Sequence, residues 1–195
     1  VKAFFSGIYS LASRRQMRRF LQRHSPDVVH VQNVFPIISP SVLKECVLAG
    51  VPVVMRCPNY RLLCPHGLFM TDGRVCEKCR FHGEHWCILR NCEGSVPKSI
   101  GYAVRNWVAR RARLFKDHVT AYYALTNFQR EKLIRGGFPP DRIEVIPSMT
   151  EVPPEEERVR IGSYVAYAGG IRSEKGFLSL AREADMLDGM SVKTG

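Results

Sequence analysis

No stretch of this 195-residue chain approaches the roughly 18 uninterrupted apolar residues that a membrane-spanning helix requires. The longest apolar run, residues 46–55, is broken by Gly50 and Pro52. No secretory leader pattern is visible, although the chain opens on Val1 rather than on methionine. No segment repeats at a fixed period. Acidic residues are scarce: 18 Asp and Glu stand against 29 Lys and Arg, a net charge of +11. That imbalance points to an anionic partner, whether nucleic acid, an acidic membrane surface or a phosphorylated ligand, with simple solubility as the bland alternative. What remains is ordinary for a soluble globular chain, 45% hydrophobic and 24% charged. The length suits one domain, or one domain and part of another.

The chain is arranged around residues 51–95. This stretch begins as the strand 53–55 and then leaves the sheet. Five of the seven cysteines fall inside it, at Cys64, Cys76, Cys79, Cys87 and Cys92. Before it, residues 6–24 read as an amphipathic helix with an arginine stripe, Arg15, Arg19 and Arg23, and with Arg14 and Arg18 beside it. The stripe is either a solvated face or a surface for anionic lipid or polyphosphate. Ser25-Pro26-Asp27 stops that helix. Residues 28–31 then read as a strand buried on both faces, with His30 as a hydrogen-bonded core histidine. Ser39-Pro40-Ser41 opens a helix over 42–49, with Gly50 just past its end. After the cysteine-rich stretch come a basic helix from about 97 to 116 and a strand over 120–125. A helix over 128–135 follows, headed by the capping pair Thr126 and Gln129, and then a strand over 143–146. Helix, strand, helix, strand is the order of a parallel sheet with crossovers. Residues 151–157 read as an acidic, proline-containing linker. A fresh strand, 164–168, a Gly169-Gly170 turn and a helix over 177–187 begin a second domain.

Two constellations could carry chemistry, and a third could line a cleft. Cys76, Cys79, Cys87 and Cys92 place four thiols within 17 residues, the ligand number of a closed structural zinc site, with Cys64, His66, His82 and His85 in reserve. Disulfides and free thiols are the other readings of the same residues. The odd total of seven cysteines and the clustered CxxC favour reduced thiols or a metal in the cytosol over a secreted disulfide framework. Gly169, Gly170 and Lys175 join a strand to a helix, where glycines admit a close ligand and a lysine reaches a diphosphate. The same residues serve equally as a plain turn. Asn59, Tyr60 and Arg61 follow the strand 53–55 at its C-terminal end, and either line a cleft or pack a turn.

The segments PDVVHVQN, SPSVLKECVLAGVPVVMRCPNYRLLCPHGLF, ALTNFQREKLIRGGFPPDRIEVIPS and YAGGIRSEKG, in that order and spacing, resemble the family-4 glycosyltransferases of the GT-B fold over most of residues 25–180. The cysteine-rich loop resembles a subgroup of that family. The resemblance implies an α/β fold: a Rossmann-like parallel sheet with helices on both faces, followed by the start of a second Rossmann-like domain. It implies an acceptor-side domain over 1–150 carrying a cysteine-rich insertion at 64–92, a linker at 151–162, and a nucleotide-sugar-binding domain beginning at 163. Gly169, Gly170, Arg172 and Lys175 would then touch the nucleotide-sugar donor. Asn33, Asn59, Tyr60 and Arg61 would line the acceptor cleft. The acceptor would be a glycan or lipid-linked molecule, and transfer would retain configuration without a catalytic metal. Cell-surface polysaccharide or glycolipid synthesis, in the cytoplasm or peripherally on the inner membrane face, is the setting it implies.

The departures from the family pattern are specific. Where the family carries a histidine in a pattern like L-H-D-Y-R, this chain has Cys57-Pro58-Asn59-Tyr60-Arg61, and Pro58 cannot act as acid, base or donor. No catalytic residue is assigned. Where the family reads G-R-x-x-x-E-K-G, Gly170 stands at the arginine position, and Arg172 substitutes only if its loop turns it inward. The family's first strand and its paired glutamates have no counterpart here. The chain therefore reads as the middle of a longer enzyme, inactive alone. The rival reading is a zinc-stabilised basic module that binds nucleic acid. The absence of a helix-turn-helix or an aromatic-basic stacking motif, and the parallel αβ order, weigh against that rival.

Overall fold

Short apolar strands that alternate with helix-forming segments pair in parallel, because each helix returns the chain to the same end of the sheet. The computed structural model of this protein describes residues 7–32, 34, 38–151, 164–171, 175–183 and 191–194. The chain divides into two units, Val1–Ser148 and Met149–Gly195. The first unit opens with helix α1 (Leu11–His24), strand β1 (Val29–Val31), helix α2 (Leu43–Leu48) and strand β2 (Val53–Cys57). A hairpin of β3 (Met70–Thr71) and β4 (Arg74–Val75) follows, then helices α3 (Lys78–His82), α4 (His85–Leu89) and α5 (Val96–Arg111). Strand β5 (Ala121–Ala124), helix α6 (Asn127–Arg135) and strand β6 (Ile143–Val145) complete it. The second unit holds β7 (Tyr164–Tyr167), α7 (Phe177–Glu183) and β8 (Ser191–Thr194), with β7 and β8 paired in parallel.

The fold class is the expected one, α/β with a parallel sheet flanked by helices. Four strands lie in the order β1-β2-β5-β6, all parallel, with Val31 opposite Met55, Cys57 opposite Ala124 and Tyr122 opposite Ile143. Strands that advance in one direction through right-handed crossovers receive all their linking helices on the same face. The burial pattern agrees. Val31, Val53, Met55, Cys57, Tyr122, Ala124 and Ile143 are buried together with Leu21, Leu43, Cys46, Leu133 and Phe138 from the helices and turns. The alternate residues Val54, Arg56 and Tyr123 are half-buried, and His30 and Glu144 are exposed. Burial on both faces, expected of β1, is therefore confined to one face, the face on which the linking helices pack. His30 is not a core residue. It stacks on Tyr123 and meets the Tyr123 hydroxyl at 3.0 Å.

The arginine stripe on α1 is split by its surroundings. Arg15, Arg19 and Arg23 are exposed. Arg14 and Arg18 turn toward α2 and close on Glu45, whose side chain is 1% exposed. Arg14 engages Glu45 Oε1 through Nε at 2.6 Å and through Nη2, and Arg18 Nε reaches Oε2 at 2.8 Å. The N-terminus of α1 is also pinned. Ser10 caps it by accepting from Ser13 N, and the Ser10 N–H donates to buried Ser39 Oγ at 3.0 Å. Ser25 ends the helix in the left-handed region, φ 42°. The basic helix α5 stops at Arg111, short of the expected 116. Arg113 adopts φ 51°, which turns the chain so that Leu114 and Phe115 enter the core.

The hydrogen bond from Arg18, opposed by burial and joined by that from Arg14, holds the Glu45 carboxyl below its usual range. Its contribution is complete above the ordinary carboxylate pKa of about 4.3 and is lost as pH falls through the lower folded value. Glu45→Gln should cost about 3 kcal/mol at pH 7, the low end for breaking a buried pair because Arg18 is half exposed. The deficit should shrink as pH drops below about 4. Urea unfolding of both chains at pH 7 and pH 3.5 measures it, and an equal deficit at both pH values contradicts the ion-triad account.

Candidate functional site

In open parallel sheets, ligands bind outside the carboxyl ends of the strands. The first residues beyond β2 are Pro58, Asn59, Tyr60 and Arg61. Their backbone is held by long-range partners. Gln129, buried on α6, donates from Nε2 to Cys57 O at 2.6 Å and to Asn59 O at 3.4 Å, and its Oε1 accepts the Leu125 N–H at 2.8 Å. The expected Thr126 cap is present, with Thr126 Oγ1 accepting from Gln129 N at 3.2 Å. The Gln129 side chain does not complete a capping box; it reaches one residue further back and across to β2. From α5, Asn106 Nδ2 donates to Arg61 O at 2.6 Å.

The three expected cleft residues separate by role. Asn59 Oδ1 accepts the Arg61 N–H at 3.0 Å, an Asx turn. Tyr60 stacks on Phe69 with ring centroids 4.7 Å apart, its N–H donates to Gly67 O, and burial pushes its hydroxyl pKa up. Gly67 is required here: its φ is +88°, and a Cβ on it would lie 2.6 Å from Arg61 Cγ. Arg61 carries the polar end of the trio. Its guanidinium lies 5.4 Å from the Tyr102 ring and lines two cavities, one of them a small notch with Arg56, Pro58 and Asn59. Arg105 also lies over the Tyr102 ring, 4.2 Å from its centroid. Burial and the nearby Arg61 pull its guanidinium down to about 10, so it stays charged at neutral pH. Beside them His66 Nδ1 donates to Glu93 Oε1 at 3.0 Å, both partly buried. Asn33 and Arg172 lie outside the described residues.

The cysteine-rich insertion folds as the β3–β4 hairpin and two short helices that pack on α5. Asp72 and Gly73, both at positive φ, form the hairpin turn, a signal the Asp-Gly pair carries in the sequence. Arg110 fastens the insertion: Nε pairs with Glu84 at 2.9 Å, while Nη1 and Nη2 donate to Cys79 O and Leu63 O. Cys87 and Cys92 are hydrogen-bonded to each other, and Cys64 and Cys79 are their close neighbours. Burial, reinforced by Cys64, Cys92 and Cys76, pushes the Cys79 thiol up to about 12, and burial pushes Cys87 up as well. All five cysteines are unpaired thiols. Among the described residues no group of three or more His, Cys, Asp or Glu side chains stands where it could hold a metal ion. The zinc expected on Cys76, Cys79, Cys87 and Cys92 would need these side chains drawn closer together.

In the second unit, Gly169 and Gly170 follow β7 and Lys175 precedes α7, exposed. The Tyr167 hydroxyl donates to Gly170 O at 3.0 Å and approaches Lys175 O at 3.4 Å, which closes the turn. Sequence reasoning missed Gln129 and Asn106 as site-forming residues. Only Gln129 had a local signal, and that signal pointed to a cap.

A family profile described as Glycosyl transferase 4-like domain matches residues 1–148. No curated protein and no solved structure matches the chain.

Gln129→Ala leaves Cys57 O, Asn59 O and Leu125 N without their partner and should cost about 3 kcal/mol. Gln129→Glu should cost a similar amount, because a carboxylate keeps the bond from Leu125 N–H and loses both donors. In both variants hydrogen exchange should quicken at Leu125 and over 59–64, while β1 stays protected. A melting temperature unchanged in both would remove Gln129 from this role.

Proposed function

Because the chain belongs to the Glycosyl transferase 4-like domain family, we propose that it serves an enzyme that transfers a sugar from a nucleotide-sugar to a glycan or lipid-linked acceptor, with retention of configuration. Glycosyltransferase activity in general follows from the family; donor, acceptor and stereochemistry are the proposal. The observation that carries it is the family match over 1–148 together with the polar loop at the C-terminal end of β2, where such sheets bind ligands. In this reading Arg61, backed by Asn59 and Tyr60, receives the acceptor in the first unit. In the second, the Gly169-Gly170 turn admits the diphosphate of the donor, and exposed Lys175 binds it as a point charge. Pro58 offers no proton, so the chemistry rests on orientation and on charge stabilisation of the leaving diphosphate. The family match favours this reading over the nucleic-acid-binding alternative.

Transfer assays on the full-length enzyme, with a panel of nucleotide-sugars and extracted glycan and lipid acceptors, test it. Lys175→Ala should raise the donor KM roughly tenfold, the loss of one charged contact. Arg61→Ala should raise the acceptor KM and leave the donor KM alone. No transfer with any donor, or a Lys175→Ala enzyme with an unchanged donor KM, would sink the assignment.

Peripheral attachment to an anionic membrane face belongs to the same proposal. Among the described residues no helix is long and apolar enough to cross a membrane. Arg15, Arg19 and Arg23 are exposed on α1, beside exposed Leu11 and Phe20. Each such charge near an anionic surface contributes on the order of 1 kcal/mol. Reversing all three to Glu should therefore lower binding to phosphatidylserine-containing vesicles at least tenfold in a sedimentation assay. Equal binding by both proteins would place the contact elsewhere.

A further inference from the structure

A second cavity, of about 70 Å³, opens beside Arg61 between the end of α5, the loop 61–63 and the turn after α6. One water needs roughly 10–15 Å³ of such space and a drug-sized ligand several hundred, so this cavity suits one small group. Five basic side chains line it, Arg61, Arg80, Arg110, Arg113 and Lys116, and no carboxylate does. The neighbouring carboxylates are turned to other duties. Glu84 binds Arg110, Asp117 binds Arg113, and Glu77 binds Arg80 Nη2 and Lys132. Arg110 is saturated by Glu84 and two backbone carbonyls and supplies only its field.

Three of the five keep donors uncommitted. The Arg80 side chain is 7% exposed, yet its Nε and Nη1 are buried with no hydrogen-bond partner among the described residues. The Arg61 guanidinium has no such partner there either, only its contact with Tyr102. Lys116 makes one long bond, to Gly136 O at 3.3 Å. Burial, Arg113 and Arg110 hold the Lys116 ammonium below its usual pKa, the signature of a cation among cations. Buried charged donors without partners are rare in folded proteins and call for an acceptor. A tetrahedral oxyanion supplies several acceptor oxygens in a volume of this size. Asn106 Oδ1, buried and likewise unpartnered, would accept the proton of a hydrogen phosphate.

We propose that this cavity binds one phosphate group, free or carried on a lipid headgroup, through Arg61, Arg80 and Lys116. This site stands on its own geometry and does not depend on the transferase reading.

Calorimetric titration of inorganic phosphate into the full chain, in low-salt chloride buffer, tests it. One phosphate should bind per chain. Arg80→Gln should weaken it roughly tenfold or more, as loss of a charge-assisted bond does. Lys116→Gln, at the half-exposed rim, covers the case in which Arg80→Gln fails to fold. The Arg74→Gln variant, exposed and outside the cavity, should bind as the parent does. Phosphate should also raise the Lys116 pKa, read from its side-chain NMR shifts. Phosphatidylcholine vesicles with and without phosphatidic acid identify the source. Competition by phosphatidic acid assigns a lipid headgroup, and phosphate binding that persists beside it assigns the free anion. No saturable phosphate binding, or binding unchanged in a folded Arg80→Gln or Lys116→Gln chain, overturns the proposal.

Discussion

The side-chain amide of Gln129 meets a demand that a parallel sheet creates at every strand end. A strand that leaves its ladder exposes carbonyls, and when those carbonyls are buried they must find donors. Cys57 is the last residue of β2 to pair with β5, and the chain then departs for more than sixty residues before β5 begins. Gln129 donates to Cys57 O and Asn59 O while its own oxygen takes Leu125 N–H, so one amide ties the exits of β2 and β5 together. Asn106 does the same for Arg61 O from α5. With these backbone groups satisfied, Arg61 projects from a fixed loop, and the candidate acceptor site inherits its geometry from two buried amides.

The positive charge of the chain has a divided meaning. Some of it is structural. Arg14 and Arg18 join α1 to α2 through Glu45, and Arg110 joins the insertion to α5 through Glu84 and two carbonyls. Lys132 and Arg80 converge on Glu77. A buried pair of this kind contributes little net stability against an apolar replacement, while loss of one member is costly. These contacts therefore read best as devices that fix which helix meets which. By contrast Arg15, Arg19 and Arg23 are exposed on α1, and in the cavity beside α5 Arg80 keeps Nε and Nη1 without a hydrogen-bond partner among the described residues.

The order of elements was legible because it rests on local signals. Apolar runs, Gly50 at φ +70° after α2, and the Thr126 cap each sit where short-range chemistry puts them. The burial of α5 was not legible. Its apolar residues Ile100 and Trp107 face outward, while Ser99, Gly101, Ala103, Arg105, Asn106 and Ala109 are buried. A helix that buries small and polar residues against an insertion gives no hydrophobic period to read. The reach of Gln129 to a residue 72 positions away, and the place of Cys64 beside Cys79 and Cys87, are tertiary facts without a sequence signature.

That buried face of α5 links the cysteine-rich insertion to the site. Small residues at a helix contact let a second helix approach closely. Cys79 and Cys87 pack directly on Ala103, and Trp86, Ile88 and Cys92 gather around them. One turn further along the same helix Asn106 holds Arg61 O, and Arg110 holds both Leu63 O and Cys79 O. The insertion and the loop after β2 therefore share a single ruler, the 99–110 face of α5. A shift of α3 along it would move Cys79 O away from Arg110. Through α5 the insertion bears on where the arginine of the candidate site stands.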